Sequence, residues 1–438
     1  MNKRGLILMA SAAIFLFTSV QVKAQQWEWA YNLGDQYAEH AHSINTDKKG
    51  NIYITGDSRY MTGGSCTGCY SKELLYKMDA QGKLVWNISL DNMSDTKAVT
   101  DADGNTYIIA AGKVVKVNSE GQQVWSKQVP VSFKAVSLQK EGIVLGGECR
   151  GINPSPSFDK TVLPSDARFF IASLNGAGSW EWVRPVKNFG IASVAVDEDQ
   201  RIYALGSWSG NDIHVKRFDQ NGNEESALTA NISGVPNAIT LDKKGNVYVL
   251  AAFANDIPLA IEGKTYSCNC EGTGAYIIKY TSGGKVSTVK IFNGYDVKGA
   301  SIITDDENNL FLTGSFLHNV QADNITAAGT GSLSTFVAKM NERGNVAWIK
   351  TSSAEANGDA YPSSIALDKK GGILIAGAVS MGQSFDQSYI SISTMYSDMF
   401  IAKISDNKGK EAGYRTGRTN IPKGTTDVKG VSYAPASK

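Results

Sequence analysis

Residues 43–56 read Ser-Ile-Asn-Thr-Asp-Lys-Lys-Gly-Asn-Ile-Tyr-Ile-Thr-Gly, and this stretch decides the fold. It returns at 238–251 as Ala-Ile-Thr-Leu-Asp-Lys-Lys-Gly-Asn-Val-Tyr-Val-Leu-Ala and at 364–377 as Ser-Ile-Ala-Leu-Asp-Lys-Lys-Gly-Gly-Ile-Leu-Ile-Ala-Gly. A unit recurring at a spacing of tens of residues marks a repeat architecture. Within it, Ile44 and Thr46 alternate with Ser43 and Asn45, and Ile52 and Ile54 alternate with Tyr53 and Thr55, which is the period of a strand. The Asp-Lys-Lys-Gly-Asn between them holds residues that tolerate positive φ or bond their own backbone, so each copy reads as strand, tight turn, strand.

A second half follows each copy. Residues 74–86 read Leu-Leu-Tyr-Lys-Met-Asp-Ala-Gln-Gly-Lys-Leu-Val-Trp, and the pattern recurs at 114–125 and 336–348. Each unit is thus four strands, a to d, the make-up of one propeller blade. Turns between a and b number seven, at 47–50, 101–104, 139–142, 197–200, 242–245, 305–308 and 368–371. Turns between c and d follow in register at 79–82, 118–121, 175–178, 219–222, 281–284, 341–344 and near 406–409. Trp86, Trp125, Trp182 and Trp348 hold one place in strand d, where a large ring packs one sheet on the next. The last unit lacks such a strand, and the chain begins with a spare one. Trp27-Glu-Trp29 matches Trp180-Glu-Trp182. An exposed strand edge invites aggregation, so residues 26–33 are expected to supply strand d of the last blade and close the ring against 399–404.

Residues 1–24 read as a signal peptide: Lys3 and Arg4, an apolar run over 6–17, and Val22-Lys23-Ala24 at the cleavage point. That run is short for a membrane span, and no later stretch is long and apolar enough to be one. The expected domains are therefore 1–24 signal peptide, 25–410 propeller and 411–438 flexible tail, the last too poor in aliphatics to offset its ordering entropy. The net charge of +1 gives no basic footprint for nucleic acid.

The signature Ser-Ile-x-x-Asp-x-x-Gly-Asn-x-Tyr-x-x-Gly, followed by a variable loop and Phe-Val/Ile-Ala-Lys, resembles the seven-bladed β-propeller repeat (SBBP) family of exported bacterial proteins. The matches are clearest at 301–314 with 336–339 and at 364–377 with 400–403. The resemblance implies an all-β, seven-bladed propeller of four-stranded blades over about residues 26–410, and it implies no catalytic motif. Residues 76–86 are also similar to the tryptophan-docking repeat of quinoprotein dehydrogenases, but the adjacent Cys-Cys pair of those enzymes is absent.

Function is sought where the connections are long. The a–b and c–d turns are tight, whereas b–c loops are long at 57–74, 149–168, 255–275, 317–335 and 380–398. Binding residues concentrate on loops held by a rigid scaffold, so the long-loop face around the channel mouth is the expected site. Its candidate ligand-binding residues are Arg59, Tyr60, Trp208, Phe253, Tyr266, Tyr295, Phe316 and Asp359. Cys66, Cys69, Cys268 and Cys270 lie in these loops, and local disulfides Cys66–Cys69 and Cys268–Cys270 are the candidates in an exported chain. The two pairs sit in units that are not neighbours, which argues against one zinc held by four thiolates. His40, His42, His214 and His318 are scattered and read as packing or exposed residues. A single Asp per turn falls short of the six or more oxygens that calcium takes. No metal and no cofactor are expected.

These features point to an exported, non-catalytic β-propeller that serves as a protein-interaction scaffold, its partner a protein of the bacterial envelope or cell surface. Its expected location is the periplasm or the cell surface, with no membrane span in the mature chain and no nucleic acid among its partners. One alternative is a carbohydrate-binding or polysaccharide-degrading propeller, which as a hydrolase needs two carboxylates about 5–9.5 Å apart. Another is a propeller lyase with His and Tyr, or a metal, at the channel mouth.

Overall fold

The computed structural model describes residues 25–34, 37–60, 70–149, 155–208, 212–253, 258–261, 263–354, 358–392 and 396–405, and among them every regular element is a strand. The expected signal peptide (1–24), the tail (411–438) and the pair Cys66 and Cys69 lie outside the described residues.

The repeated Asp is occupied within its own turn. Asp47 Oδ1 accepts the backbone N–H groups of Lys49 (2.8 Å) and Asn51 (2.9 Å), and its Oδ2 accepts the Asn51 amide (2.6 Å) and the Tyr53 hydroxyl (3.2 Å). Asp242 does the same for Lys244, Asn246 and Tyr248. This accounts for the Asp-x-x-Gly-Asn-x-Tyr spacing: one carboxylate ties the turn, its far side and the first ring of strand b. The turn also needs a residue at positive φ, supplied by Gly50 at +83° and, where glycine is absent, by Gln200 and Asn308 at +63° each.

The sheets follow the units. Unit one pairs Ala38–Thr46, Ile52–Tyr60, Tyr70–Met78 and Leu84–Leu90 in that order. In unit two, strand a is Lys97–Thr100, and Thr106–Val117 carries both b and c, with Gly112 (φ +75°) between the half paired to a and the half paired to d. Strand Gln123–Gln139 then runs from d of unit two into a of unit three, which continues with Gly142–Glu148, Phe169–Asn175 and Trp180–Val186. Units four to six repeat the a-b-c-d order. In unit seven, Asp359–Leu367, Ile373–Ser380 and Asp398–Ser405 are joined by the chain's first strand, Gln26–Asn32, with Gln26 opposite Ser405 and Asn32 opposite Phe400.

Neighbouring units are fastened by two repeated devices. Three outer-strand tryptophans lie on the glycine of the next unit's c–d turn: a Cβ there would meet Trp86 at 3.3 Å (Gly121), Trp125 at 2.9 Å (Gly178) and Trp182 at 2.5 Å (Gly222). Trp29 of the first strand meets Gly82 of unit one in the same way, at 3.0 Å. The lysine of strand c is the second device. Lys77 donates to Ser119 O (2.7 Å), Lys116 to Gly176 O (2.9 Å) and Lys279 to Glu342 O (2.8 Å), each a carbonyl in the next unit's c–d turn. Strand a of unit one also bonds strand a of unit seven, Ile44 N to Ser364 Oγ (3.2 Å) and Thr46 Oγ1 to Leu367 O (2.8 Å).

The long b–c loops carry structure of their own. In units three, five, six and seven they contain two-stranded hairpins, at 157–162, 259–266, 319–328 and 383–390. These lie along the outer strands. Residues 319–322 pair with the outer strand of unit five, and Leu259 and Ile261 share a core with Leu228 of unit four's outer strand. The hairpin turns carry Asp159, Asp323 and Asp386 at positive φ, where Asp and Asn are tolerated. Asp159 pairs with Lys127, Asp323 with Lys290 and Asp386 with Lys350, each lysine on the preceding unit's outer strand. Asp323 and Asp386 also accept backbone N–H groups near the start of their own outer strands, from Val346 (2.9 Å) and Trp27 (2.8 Å). Val346 follows its unit's c–d turn and Trp27 lies opposite Ile404 at the corresponding end of strand c, so these two hairpins reach down the outer rim.

Candidate functional site

Strand a carries a β-bulge five residues before its turn in six units, leaving His42, Lys134, Ala192, Asn237, Ala300 and Ser363 unpaired in the ladder. A bulge re-aims a side chain and often sits beside a functional site. In unit one the re-aimed residue is His42, and it meets carboxylates from strands b and c. His42 Nε2 is 3.4 Å from Asp57 Oδ1, and its Nδ1 is 3.4 Å from Glu73 Oε2 and 3.3 Å from Thr96 Oγ1. Thr96 is the residue at the equivalent place in unit two.

The surroundings are ionic and largely out of water. The side chains of Asp57 and Glu73 are 0% and 1% exposed, and that of His42 is 16% exposed. His40 Nδ1 also stands 3.4 Å from Asp57 Oδ1, while its Nε2 is held 2.9 Å from Ser397 Oγ. Arg59 Nε pairs with Asp57 Oδ2, and its NH2 lies 3.7 Å from Asp95. Glu73 accepts Thr96 Oγ1 (2.8 Å) and the Asp95 N–H (3.0 Å). Burial alone lowers the His42 pKa, but the Asp57 and Glu73 carboxylates beside it outweigh it and push the imidazole up to about 9. Burial raises the Asp57 pKa, yet His40, His42 and Arg59 together hold it well below the usual carboxylate range. Such a set can bind a cation or hold and move a proton.

The two histidines expected to be scattered packing residues therefore converge at the b–c end of unit one. The signal in the sequence was His-x-His at the bulge position, the only unit in which that position is a histidine. Of the expected ligand-binding residues, Arg59 belongs to this cluster. Tyr60 ends strand b of unit one, and its side chain lies outside the described residues. Trp208 is 38% exposed, edge-on to Phe169 (5.8 Å), with the Arg168 guanidinium 5.7 Å from its ring. Asp359 accepts the Leu333 N–H (3.0 Å) and the Tyr361 hydroxyl (3.0 Å). Tyr295 stands edge-on to His318, and Tyr266 packs on the core of units four and five. Phe253 and Phe316 are corrections: at 8% and 0% exposure they are core residues and offer no surface to a partner. Apolar neighbours recruited them, Tyr276 for Phe253 and Phe336 for Phe316. Cys268 and Cys270 are joined as a disulfide, and Cys149 is a buried thiol donating to Ala167 O.

No family model matches the chain, and no curated protein matches it in sequence. Among solved structures it is similar to a catalytically inactive virginiamycin B lyase from Staphylococcus aureus with quinupristin, at 13% identity over 87% of this chain and 99% of that one, with a TM-score of 0.53. It also matches the β-propeller domain of Cps50 (Swd1) from Myceliophteria thermophila at 8% identity over 86% of this chain and 99% of that one, TM-score 0.49. A third match is the Dos1 propeller, at 9% identity over 87% and 95%, TM-score 0.48. At such identities the likeness is one of architecture, and the chain has a β-propeller fold.

Proposed function

We propose that the chain is a seven-bladed propeller of the SBBP type, its ring closed by the N-terminal strand, which acts as an exported, non-catalytic scaffold for a protein of the envelope or cell surface. Closure is supported by the strand pairing at 26–32 and by Trp29 on Gly82, which sets unit seven against unit one. The scaffold reading rests on Trp208. The Asp turns, the strand-c lysines and most tryptophans are engaged in holding units together, whereas Trp208 stands 38% exposed at the b–c end with Arg168 beside it. Exposed Trp and Arg are the residue types enriched at binding hot spots. Crosslinking the native protein in envelope preparations and identifying what is attached tests this. A partner whose crosslinks fall on the a–b turn face would defeat it.

A second reading, a propeller lyase, is favoured by the His42, Asp57 and Glu73 cluster at the same end. A buried His between carboxylates is suited to proton transfer. The neighbour bound to quinupristin is a lyase, and that likeness supplies only a reason to assay. Loss of a small-molecule substrate on incubation with the protein, abolished by His42→Ala, would favour this reading over the scaffold.

A further inference from the structure

We propose that His42, Asp57 and Glu73 bind one divalent transition-metal ion of the zinc, cobalt or manganese class at the b–c end of unit one. The ligand atoms of these three side chains lie within 4.8 Å of one another, drawn from strands a, b and c of a single sheet. Rigid strands, with a bulge aiming the histidine, place them more firmly than a loop would.

The orphaned oxygen is the second observation. Asp57 Oδ1 is buried and accepts no hydrogen bond among the described residues, although two imidazole nitrogens stand 3.4 Å from it. A buried polar atom without a partner is costly and calls for an explanation such as an ion. Arg59, bound to Asp57 Oδ2, balances one of the two carboxylates, and an ion entering between Asp57 Oδ1, His42 and Glu73 would replace the proton on His42 that balances the other.

The outer contacts are those of a held ligand set. Glu73 is fixed by Thr96 and by the Asp95 N–H, and His40 is oriented through its Nε2 by Ser397 so that Nδ1 faces Asp57. Outer-shell hydrogen bonds of this kind orient ligands and raise metal affinity. One imidazole with two carboxylates suits borderline cations, whereas calcium wants six to eight oxygens. Three protein ligands leave a position open for water or a ligand atom, and His40, 38% exposed, marks the side facing solvent. The inference is independent of the scaffold reading; under the lyase reading the same three side chains would hold the ion, and His42 would be a ligand rather than a proton carrier.

The test uses the mature full chain with Cys66→Ser and Cys69→Ser to remove competing thiols. After stripping with EDTA and dialysis, the protein is titrated with cobalt chloride and then zinc chloride, followed by calorimetry and visible absorption. A single cobalt ion per chain is expected, with ligand-field bands and no thiolate charge-transfer band. His42→Gln and Glu73→Gln should each weaken it on the order of 100-fold or more. Ser397→Ala, which touches no proposed ligand directly, should weaken it less. Thermal unfolding in EDTA checks that the variants fold; if Glu73→Gln does not, the more exposed His42→Gln decides. No stoichiometric binding, a thiolate band, or unchanged affinity in the folded variants would overturn the proposal.

Discussion

Trp27 stands edge-on to Phe385, ring centroids 4.9 Å apart and planes at 88°, and Trp180 stands on Phe158 at 4.9 Å and 89°. Units three and seven are the two whose outer strand reads Trp-Glu-Trp and whose hairpin reads Ser-Phe-Asp. The first Trp of each pair holds its own unit's hairpin, and the second leans on the next unit. Phe385 and Phe158 are both essentially unexposed, so truncating either leaves a cavity as well as losing the aromatic pair. Phe385→Ala and Phe158→Ala should each cost about 3–5 kcal/mol in urea unfolding. Val162→Ala, on the exposed side of the same hairpin, should stay within about 0.5 kcal/mol. A loss below about 1 kcal/mol at the phenylalanines would mean that the hairpins do not bear on the fold.

The junction between the first strand and unit one can be probed at a glycine. Gly82 has φ +82°, and a Cβ there would press on Trp29 and on the Tyr31 hydroxyl. Gly371 has nearly the same backbone, φ +80°, with nothing within 4 Å. Both Gly→Ala changes carry the left-handed backbone penalty of about 1–2 kcal/mol. Gly82→Ala should cost about 1–3 kcal/mol beyond Gly371→Ala, because it also overpacks the junction. Deleting residues 26–32 should leave Asp398–Ser405 as an open edge and produce concentration-dependent association in sedimentation. Equal melting points for the two glycine variants would show that the junction is loose.

Most of this architecture was legible because each unit repeats its chemistry. The turn Asp, the glycine, the strand-c lysine and the outer Trp recur at fixed spacing, and the spare Trp-Glu-Trp at the start matched the strand missing at the end. The destination of the long loops was not legible. Loop length alone does not say whether a segment stands over the channel or lies down the rim, and the Phe-Asp pairs that dock it were hidden among variable residues. Phe253 and Phe316 were misjudged for the same reason: an aromatic at the end of strand b turns inward once a hairpin covers it. The cluster at unit one depends on residues 42, 57 and 73, which only the sheet register brings side by side.

The turn carboxylates should matter for stability and not for binding. Asp242 accepts two backbone N–H groups, the Asn246 amide and the Tyr248 hydroxyl, and is 5% exposed. Asp242→Ala removes the acceptor and strands donors in a turn packed against Lys279, which lies 5.1 Å from the Tyr248 ring. A loss of about 2–4 kcal/mol is expected from several bonds of roughly 1 kcal/mol each and the unsatisfied groups left behind. The neighbouring Lys243 is exposed and pairs with exposed Asp306, so Lys243→Glu should leave the unfolding midpoint nearly unchanged. Denaturant titration of both variants checks this. A Lys243 effect as large as that of Asp242 would contradict the assignment of roles.

Trp208 separates binding from folding more cleanly than the buried aromatics can. Its ring keeps one edge on Phe169 and one face near Arg168, and the rest is open to solvent. Trp208→Ala should therefore cost the fold only about 1 kcal/mol, the worth of an exposed aromatic or cation–π contact. At an interface, burying the ring and the Arg168 guanidinium together would be worth about 2 kcal/mol or more, a weakening of roughly 30-fold on truncation. Phe316→Ala cannot serve as the companion variant, since its fully buried ring would cost the fold about 3–5 kcal/mol and confound any binding loss. Arg168→Ala is the better partner for the measurement. With a partner identified by crosslinking, biolayer interferometry should find both Trp208→Ala and Arg168→Ala weakened and Lys243→Glu unchanged. A partner that binds the two loop-end variants as tightly as the wild type, and loses affinity with Lys243→Glu, would move the interaction to the tight-turn face.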